Sequence, residues 1–312
     1  MNILRGLILS LTLFATGVQA DKKNLTVTLP FPAGGATDRV WRLLDSKLTE
    51  QLQSHGIKLQ TEYRVGAGGG IAGMHVATAP VGETRLLFTS ASLMIAPSSN
   101  DNINYRPNDF TMLGYFGSLP MMVVVPAAGP KNIKELQQLC QSRPIMYGSA
   151  GVGSTVHLVS EEFLKAINCS ATHVPYKGAP AAMPDLVSAR LDFVVDWISS
   201  PTMSLVEQNR LNVVLILGQN RLKQFSQVPT AGQAGFKLEA LNNWQVFVAN
   251  STADTKEIEI IRRAVQRVMR DPDNLKLFAD LGLEGAGTTV DENFLSNNYQ
   301  YYQKIIKKYN IK

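Results

Sequence analysis

The sequence predicts an α/β protein in which helices cover mostly parallel sheets. Three observations carry that expectation. Strand-like apolar runs alternate with amphipathic helical runs along the chain, the rhythm of βαβ units. Two strand-to-helix junctions are rich in glycine: residues 30–38 read PFPAGGATD and residues 148–155 read GSAGVGST. The chain of 312 residues is also long enough for a large core and near the length at which a chain splits into two domains.

Residues 1–20 read as a secretory signal peptide. Arg5 supplies a positive n-region, residues 6–17 an apolar run too short to span a bilayer, and Val18-Gln19-Ala20 a small-residue cleavage site. An exported protein is expected. Cys140 and Cys169 would then form a disulfide, closing a loop of about 30 residues worth roughly 3–4 kcal/mol. The formal charge of +5 is mild and dispersed. Without a Lys/Arg block to track a phosphate backbone, no nucleic-acid partner is expected; the slightly basic balance fits an anionic small ligand and equally fits none in particular. His55, His75, His157 and His173 show no ligand spacing and there is no CxxC, so no metal and no cofactor are expected.

Taken in order, residues 25–29 alternate as a strand, and Val40, Leu44, Leu48 and Leu52 recur at helical spacing. Residues 59–65 form a second strand, residues 66–73 (GAGGGIAG) turn into a short helix, and residues 85–89 form a third strand ending in Ser90-Ala91-Ser92. Residues 121–126 are a strongly apolar strand, taken as the crossing between domains. A helix over 133–140, a strand over 144–147 and a helix carrying Val156, Val159, Phe163 and Ile167 follow. Strands are predicted at 171–175, 191–195, 211–217 and 244–248, with helices at 181–189, 275–281 and 294–308 and one carrying Ile258, Ile261, Val265 and Val268.

A Gly-rich turn that opens a helix exposes unpaired N–H groups at the positive end of the helix dipole, which is an anion site. Other readings of these motifs fall short. The second loop matches a phosphate loop except that Ser154 stands at the lysine position, so the main charge for a nucleotide is missing. Tyr147 stands where a nucleophile elbow needs glycine. A Ser154, His157, Asp192 triad can be written down, but no pattern supports it. Gly68, Gly70 and Gly73 satisfy GxGxxG, yet no acidic residue ends the next strand to hold a ribose, which leaves a tight turn and close packing. The hydroxyls of Thr37, Ser149, Ser154 and Thr155, with few charges nearby, suit a carboxylate held by N–H groups, hydroxyls and water.

These stretches carry a family resemblance. PFPAGGATD at 30–38, GAGGGIAG at 66–73, YGSAGVGSTVH at 147–157 and VPYKGA at 174–179 stand in the order and spacing of the substrate-binding proteins of tripartite tricarboxylate transporters, the Bug or TctC-like family. The chain departs from that pattern at Tyr63-Arg64-Val65-Gly66, at Pro80-Val81-Gly82-Glu83 and at residues 250–254 (NSTAD).

The resemblance implies a two-lobe periplasmic-binding-protein fold, type II-like, with a hinge and a central cleft. Lobe 1 would comprise residues 21–125 and 245–312, and lobe 2 residues 126–244. It implies a monomer in the periplasm, without enzymatic activity, that binds a mono-, di- or tricarboxylate and meets the membrane subunits of such a transporter. The alternatives are a sensor module for a receptor kinase and an exported serine hydrolase using Ser149 or Ser154. The first grip carries over to Phe31, Pro32, Ala33, Gly34, Gly35, Ala36, Thr37 and Asp38, with Asp38 bracing its own helix. The second carries over to Ser149, Ala150, Gly151, Gly153, Ser154, Thr155 and His157. Thr89, Ser90 and Ser92 would line the cleft, Asp196 would stand near the distal part of the ligand, and Tyr176 completes the set.

Overall fold

The computed structural model describes residues 23–198, 200–239 and 243–311. The signal-peptide expectation falls on residues 1–20, outside that range.

The first half runs β1 (Lys23–Leu29), α1 (Ala36–Leu52), β2 (Ile57–Tyr63), α2 (Gly70–Ala77), β3 (Leu86–Ser90), α3 (Ser92–Ser99) and β4 (Phe110–Ser118). The second runs β5 (Met121–Pro126), α4 (Ile133–Ser142), β6 (Ile145–Ser149), α5 (Thr155–Ala166), β7 (Ala171–Pro175), α6 (Ala179–Val187), β8 (Phe193–Trp197), α7 (Ser200–Glu207) and β9 (Leu211–Leu217). The chain closes with β10 (Trp244–Asn250), α8 (Thr255–Arg270), α9 (Pro272–Asp280) and α10 (Phe294–Tyr309).

The strands form two five-stranded sheets of matching topology, ordered β2-β1-β3-β10-β4 and β7-β6-β8-β5-β9. In each, four strands run one way and one is reversed, β10 in the first and β5 in the second. Each reversed strand is the first one laid down after the chain changes sheets. A chain that leaves one sheet at its carboxyl end enters the facing sheet at that sheet's carboxyl end, so it must run against the parallel strands there.

The apolar strand at 121–126 is therefore not the crossing that its sequence suggested. It is an interior strand of the second sheet, between β8 and β9. The passage lies just before it, at Leu119 and Pro120, where the Leu119 N–H donates to Asn243 O of the returning chain (3.1 Å). Three elements were not anticipated: α3, α7 and β4. Pro97 lies within α3, and β4 is only part-buried, with Gly114 and Gly117 interrupting its pattern, so neither gave a clear period.

The helices bury the faces their periodicity marks. Val40, Trp41, Leu44, Leu48 and Leu52 of α1 are all buried, and Trp41 packs against Phe88 of β3 and Phe247 of β10 at 5.5 Å between ring centroids. In the second half, Phe163 of α5 meets Phe193 of β8 edge-on. Cys140 and Cys169 are joined by a disulfide, tying α4 to the turn between α5 and β7.

Candidate functional site

Both Gly-rich loops lie at the carboxyl ends of parallel strands, where α/β sheets present their binding crevices. In the first, β1 ends at Leu29 and the chain turns through Gly34, whose φ of +85° favours glycine. The Gly34 N–H donates to Asp38 Oδ2 (2.8 Å), the same oxygen accepts from Arg42 Nε (2.8 Å), and Tyr63 Oη donates to Oδ1 (2.6 Å). Burial alone would raise the Asp38 pKa, but these hydrogen bonds and the Arg42 charge outweigh it and hold the carboxyl below its ordinary value. Asp38 thus shapes the loop. Gly35 caps α1 with no side chain on the helix amides, leaving the first N–H groups of α1 available.

The second loop is built from its own hydroxyls. The Gly151 N–H donates to Ser149 Oγ (3.1 Å), and Ser149 Oγ is 2.6 Å from His173 Nε2. Ser154 Oγ donates to Gly151 O (2.7 Å) and accepts from the His157 N–H (3.3 Å), so Ser154 is the side-chain cap of α5. The next residue, Thr155, is buried, and its Oγ1 has no hydrogen-bond partner. Behind the loop, His157 stacks on His173 (4.1 Å), His173 on Tyr147 (4.9 Å) and Tyr147 on Phe193 (5.4 Å). Burial and the neighbouring His173 push His157 down to about 3, and burial also lowers His173.

Between the loops lies a narrow cavity of ≈ 30 Å³. Phe31, Gly35, Ala36 and Thr37 line it from the first half, and Ala150, Ser154, Thr155 and Val156 from the second. Ala179, Pro180, Asp196 and Trp197 complete the wall. Three helix N-termini, those of α1, α5 and α6, converge there, and among the described residues no Lys or Arg lines it. Asp196 lies within β8 rather than after it, and the Thr202 hydroxyl donates to its carboxylate.

The remaining sequence candidates stand outside this wall. Ala33 is exposed. Pro32 packs under Gly178, where an added Cβ would fall 2.6 Å from Pro32 Cδ. Ser149, Gly151, Gly153 and His157 build the second loop from behind. Thr89 is buried in β3, and Ser90 Oγ and Ser92 Oγ are 3.1 Å apart. Tyr176 donates to Asp185 Oδ2 (2.6 Å), fixing the approach to α6. Ser154, His157 and Asp192 form no triad: Asp192 accepts from the Met146 N–H (2.8 Å) and pairs with Arg143, while Ser154 caps α5.

Sequence reasoning missed the α6 contribution, although Pro180 in its first turn is a helix-start signal. It also missed what the glycines do between the halves. A Cβ on Gly68 would fall 2.4 Å from Val152 O and 2.5 Å from Ser154 N, and one on Gly153 would fall 2.5 Å from Ser99 Oγ. Arg39 Nη1 adds a bond from α1 to Ile198 O beyond β8 (3.1 Å). The two halves are closed on each other, backbone against backbone.

Two mixed sheets that close on a cavity fed by helix N-termini define a two-lobe binding-protein fold. The structure superposes on periplasmic binding protein BugD with a TM-score of 0.84, at 24% identity over 93% of this chain and 98% of that one. Two other structures share the fold. MatC from Rhodopseudomonas palustris with bound malate has a TM-score of 0.77 at 22% identity, covering 91% of this chain and 98% of that one. An R. palustris protein with adipate has a TM-score of 0.80 at 24% identity, covering 92% and 97%. Among sequence relatives, a UPF0065 protein from the tcbD-tcbE intergenic region of Pseudomonas sp. (strain P51) is 28% identical over 99% of this chain and 94% of its own length. The profile described as "Tripartite tricarboxylate transporter family receptor" matches residues 40–311, and the chain belongs to that family.

Proposed function

We propose that this protein is a periplasmic solute-binding protein that holds a small organic carboxylate between its two lobes and delivers it to the membrane subunits of a tripartite tricarboxylate transporter. The observation that carries the reading is the orphaned Thr155 hydroxyl. It lies buried in a cavity lined by the first residues of α1 and α5, whose opening N–H groups lack helical partners, and a carboxylate oxygen satisfies both kinds of donor. The malate and adipate in the two R. palustris structures support a carboxylate as the ligand. The lobes hinge at Leu119 and Asn243, where the two crossing segments are hydrogen-bonded to each other. The ligand bridges both lobes, so it stabilises the closed state over the open one. The N-terminal signal directs the chain to the periplasm.

A thermal-shift screen of mono-, di- and tricarboxylates tests the reading. A true ligand at a hundredfold excess over its Kd stabilises the folded protein by about 2.7 kcal/mol. Thr155→Val removes the hydroxyl and keeps the shape, so it should weaken that ligand about tenfold or more. Absence of any shift with every organic anion defeats the proposal.

A further inference from the structure

Away from the cavity, a cluster of side chains joins the two halves at the far end of α10. The body of α10 belongs to the first sheet. Phe294 packs on Trp244 (5.2 Å) and Tyr115 (5.5 Å), Trp244 Nε1 donates to Asn298 Oδ1 (2.8 Å), and Tyr302, Ile305 and Ile306 are buried. The last turn reaches α5, which packs on the second sheet. A helix end leaves its final carbonyls without intrahelical partners and carries partial negative charge. Lys165 Nζ donates to one of those carbonyls, Tyr309 O, and lies 4.7 Å from the centroid of the Tyr309 ring. Tyr309 Oη donates to Glu162 Oε1 (3.4 Å). Glu162 is buried on α5, and the same oxygen accepts from the Glu239 N–H in the segment that returns to β10. From α10, Lys308 Nζ donates to Glu239 Oε1 (2.6 Å) and Tyr301 Oη to Glu239 O.

Each side of this contact is held in place by its own half. Lys165 stands in the last turn of α5, and the disulfide at Cys169 fixes the turn that follows. Beyond Tyr309, Asn310 takes a left-handed conformation (φ +51°), the Ile311 N–H donates to Ile306 O (3.1 Å) and Ile311 is buried, which anchors the end of α10. Groups already ordered on both sides lose little freedom when they meet. Ile311 and Val152, at the tip of the second Gly-rich loop, line one groove, so the end of α10 stands beside the loop that closes on Gly68. We infer that Lys165, Glu162 and Tyr309 form a latch that holds the two halves together without a ligand, and that they set carboxylate affinity without touching the carboxylate. This rests on the closure reading above. Apparent affinity scales with the fraction of molecules already in the competent state, so a latch that populates the closed form tightens binding from a distance. All three are positioning residues.

Small-angle scattering of the intact mature protein in carboxylate-free buffer tests the latch, with Gly68→Val as the open reference. The unaltered protein should be compact. Lys165→Met keeps the aliphatic stem but loses the charge and the donor, and should scatter as a more extended particle; Lys165 is exposed, so the variant folds. Lys165→Arg should restore the compact form. Tyr309→Phe keeps the ring and the carbonyl and should stay compact, whereas Tyr309→Ala should open. In calorimetric titrations with malate and with adipate, any binding seen should weaken about three- to tenfold in Lys165→Met and recover in Lys165→Arg. A compact Lys165→Met beside an extended Gly68→Val overturns the latch and leaves the closure reading intact. An extended unaltered protein also overturns it, because the contacts then fail to hold the halves unaided. If Gly68→Val is as compact as the unaltered protein, the closure reading falls and the latch falls with it. The scattering series is decisive even where neither acid binds.

Discussion

Lowering the pH should destabilise this protein well before its carboxylates titrate, and His157 should be a principal cause. The ring is buried, stacked on His173, and held at a pKa of about 3 against 6.5 for a free histidine. A depressed imidazole pKa means that the unfolded chain takes up the proton first. Stability is then full above the unfolded value, falls as the pH drops through 6.5, and stops falling near 3. For these two values, linkage gives a loss of about 2 kcal/mol by about pH 5 and about 4 kcal/mol by about pH 3. The first figure corresponds to about 3 °C in melting temperature for a chain of this size. His75 and His173 are shifted in the same direction and add to the wild-type slope. The informative measurement is therefore the difference from His157→Phe, which keeps an aromatic ring in the stack and cannot titrate. Melting followed by circular dichroism from about pH 7.5 to about pH 5 should show a shallower fall in the variant, by about 2 kcal/mol. Asp38 and Glu62, whose pKa values lie below those of free carboxyls, lose their stabilisation only at lower pH and do not blur this window. Parallel pH profiles in the two proteins would refute the argument.

Other expectations concern closure and the covalent frame. Gly68→Val places a Cβ 2.4 Å from Val152 O at a φ of +61°, so closure should fail; small-angle scattering should show a more extended particle and carboxylate affinity should drop by about tenfold or more. Gly34→Ala meets nothing within 4 Å and strains only the loop, at a φ of +85°, so it should cost roughly 1 kcal/mol in stability and leave scattering unchanged. Removing the disulfide with Cys140→Ser and Cys169→Ser should lower stability by about 3–4 kcal/mol in denaturant titrations; no change would mean that the unfolded chain is not constrained by the link.

The sequence by itself determined the local devices of this protein. Apolar periods of two and 3.6 placed β1, α1, β6 and α5, because each buries one face whose spacing is written in a single stretch of chain. The glycines, the small hydroxyl residues and the missing lysine of the second loop marked a candidate anion site without a nucleotide-binding pattern, since backbone N–H groups become available wherever a tight turn opens a helix. Only the tertiary structure decided what those devices enclose. The apolar strand at 121–126 carries no mark of which sheet it joins, and that choice, with the return at β10, sets where the chain passes between the two sheets. Gly68 reads as an ordinary turn glycine until the second loop arrives against it from the other half. Gln245 and Asn243 look like routine polar residues beside a strand; their burial and their lack of partners arise from β3, β10 and α1 packing together, contacts between segments far apart in the chain. Contacts of that kind have no period and no local residue preference, so they become visible only once the two sheets are assembled and closed.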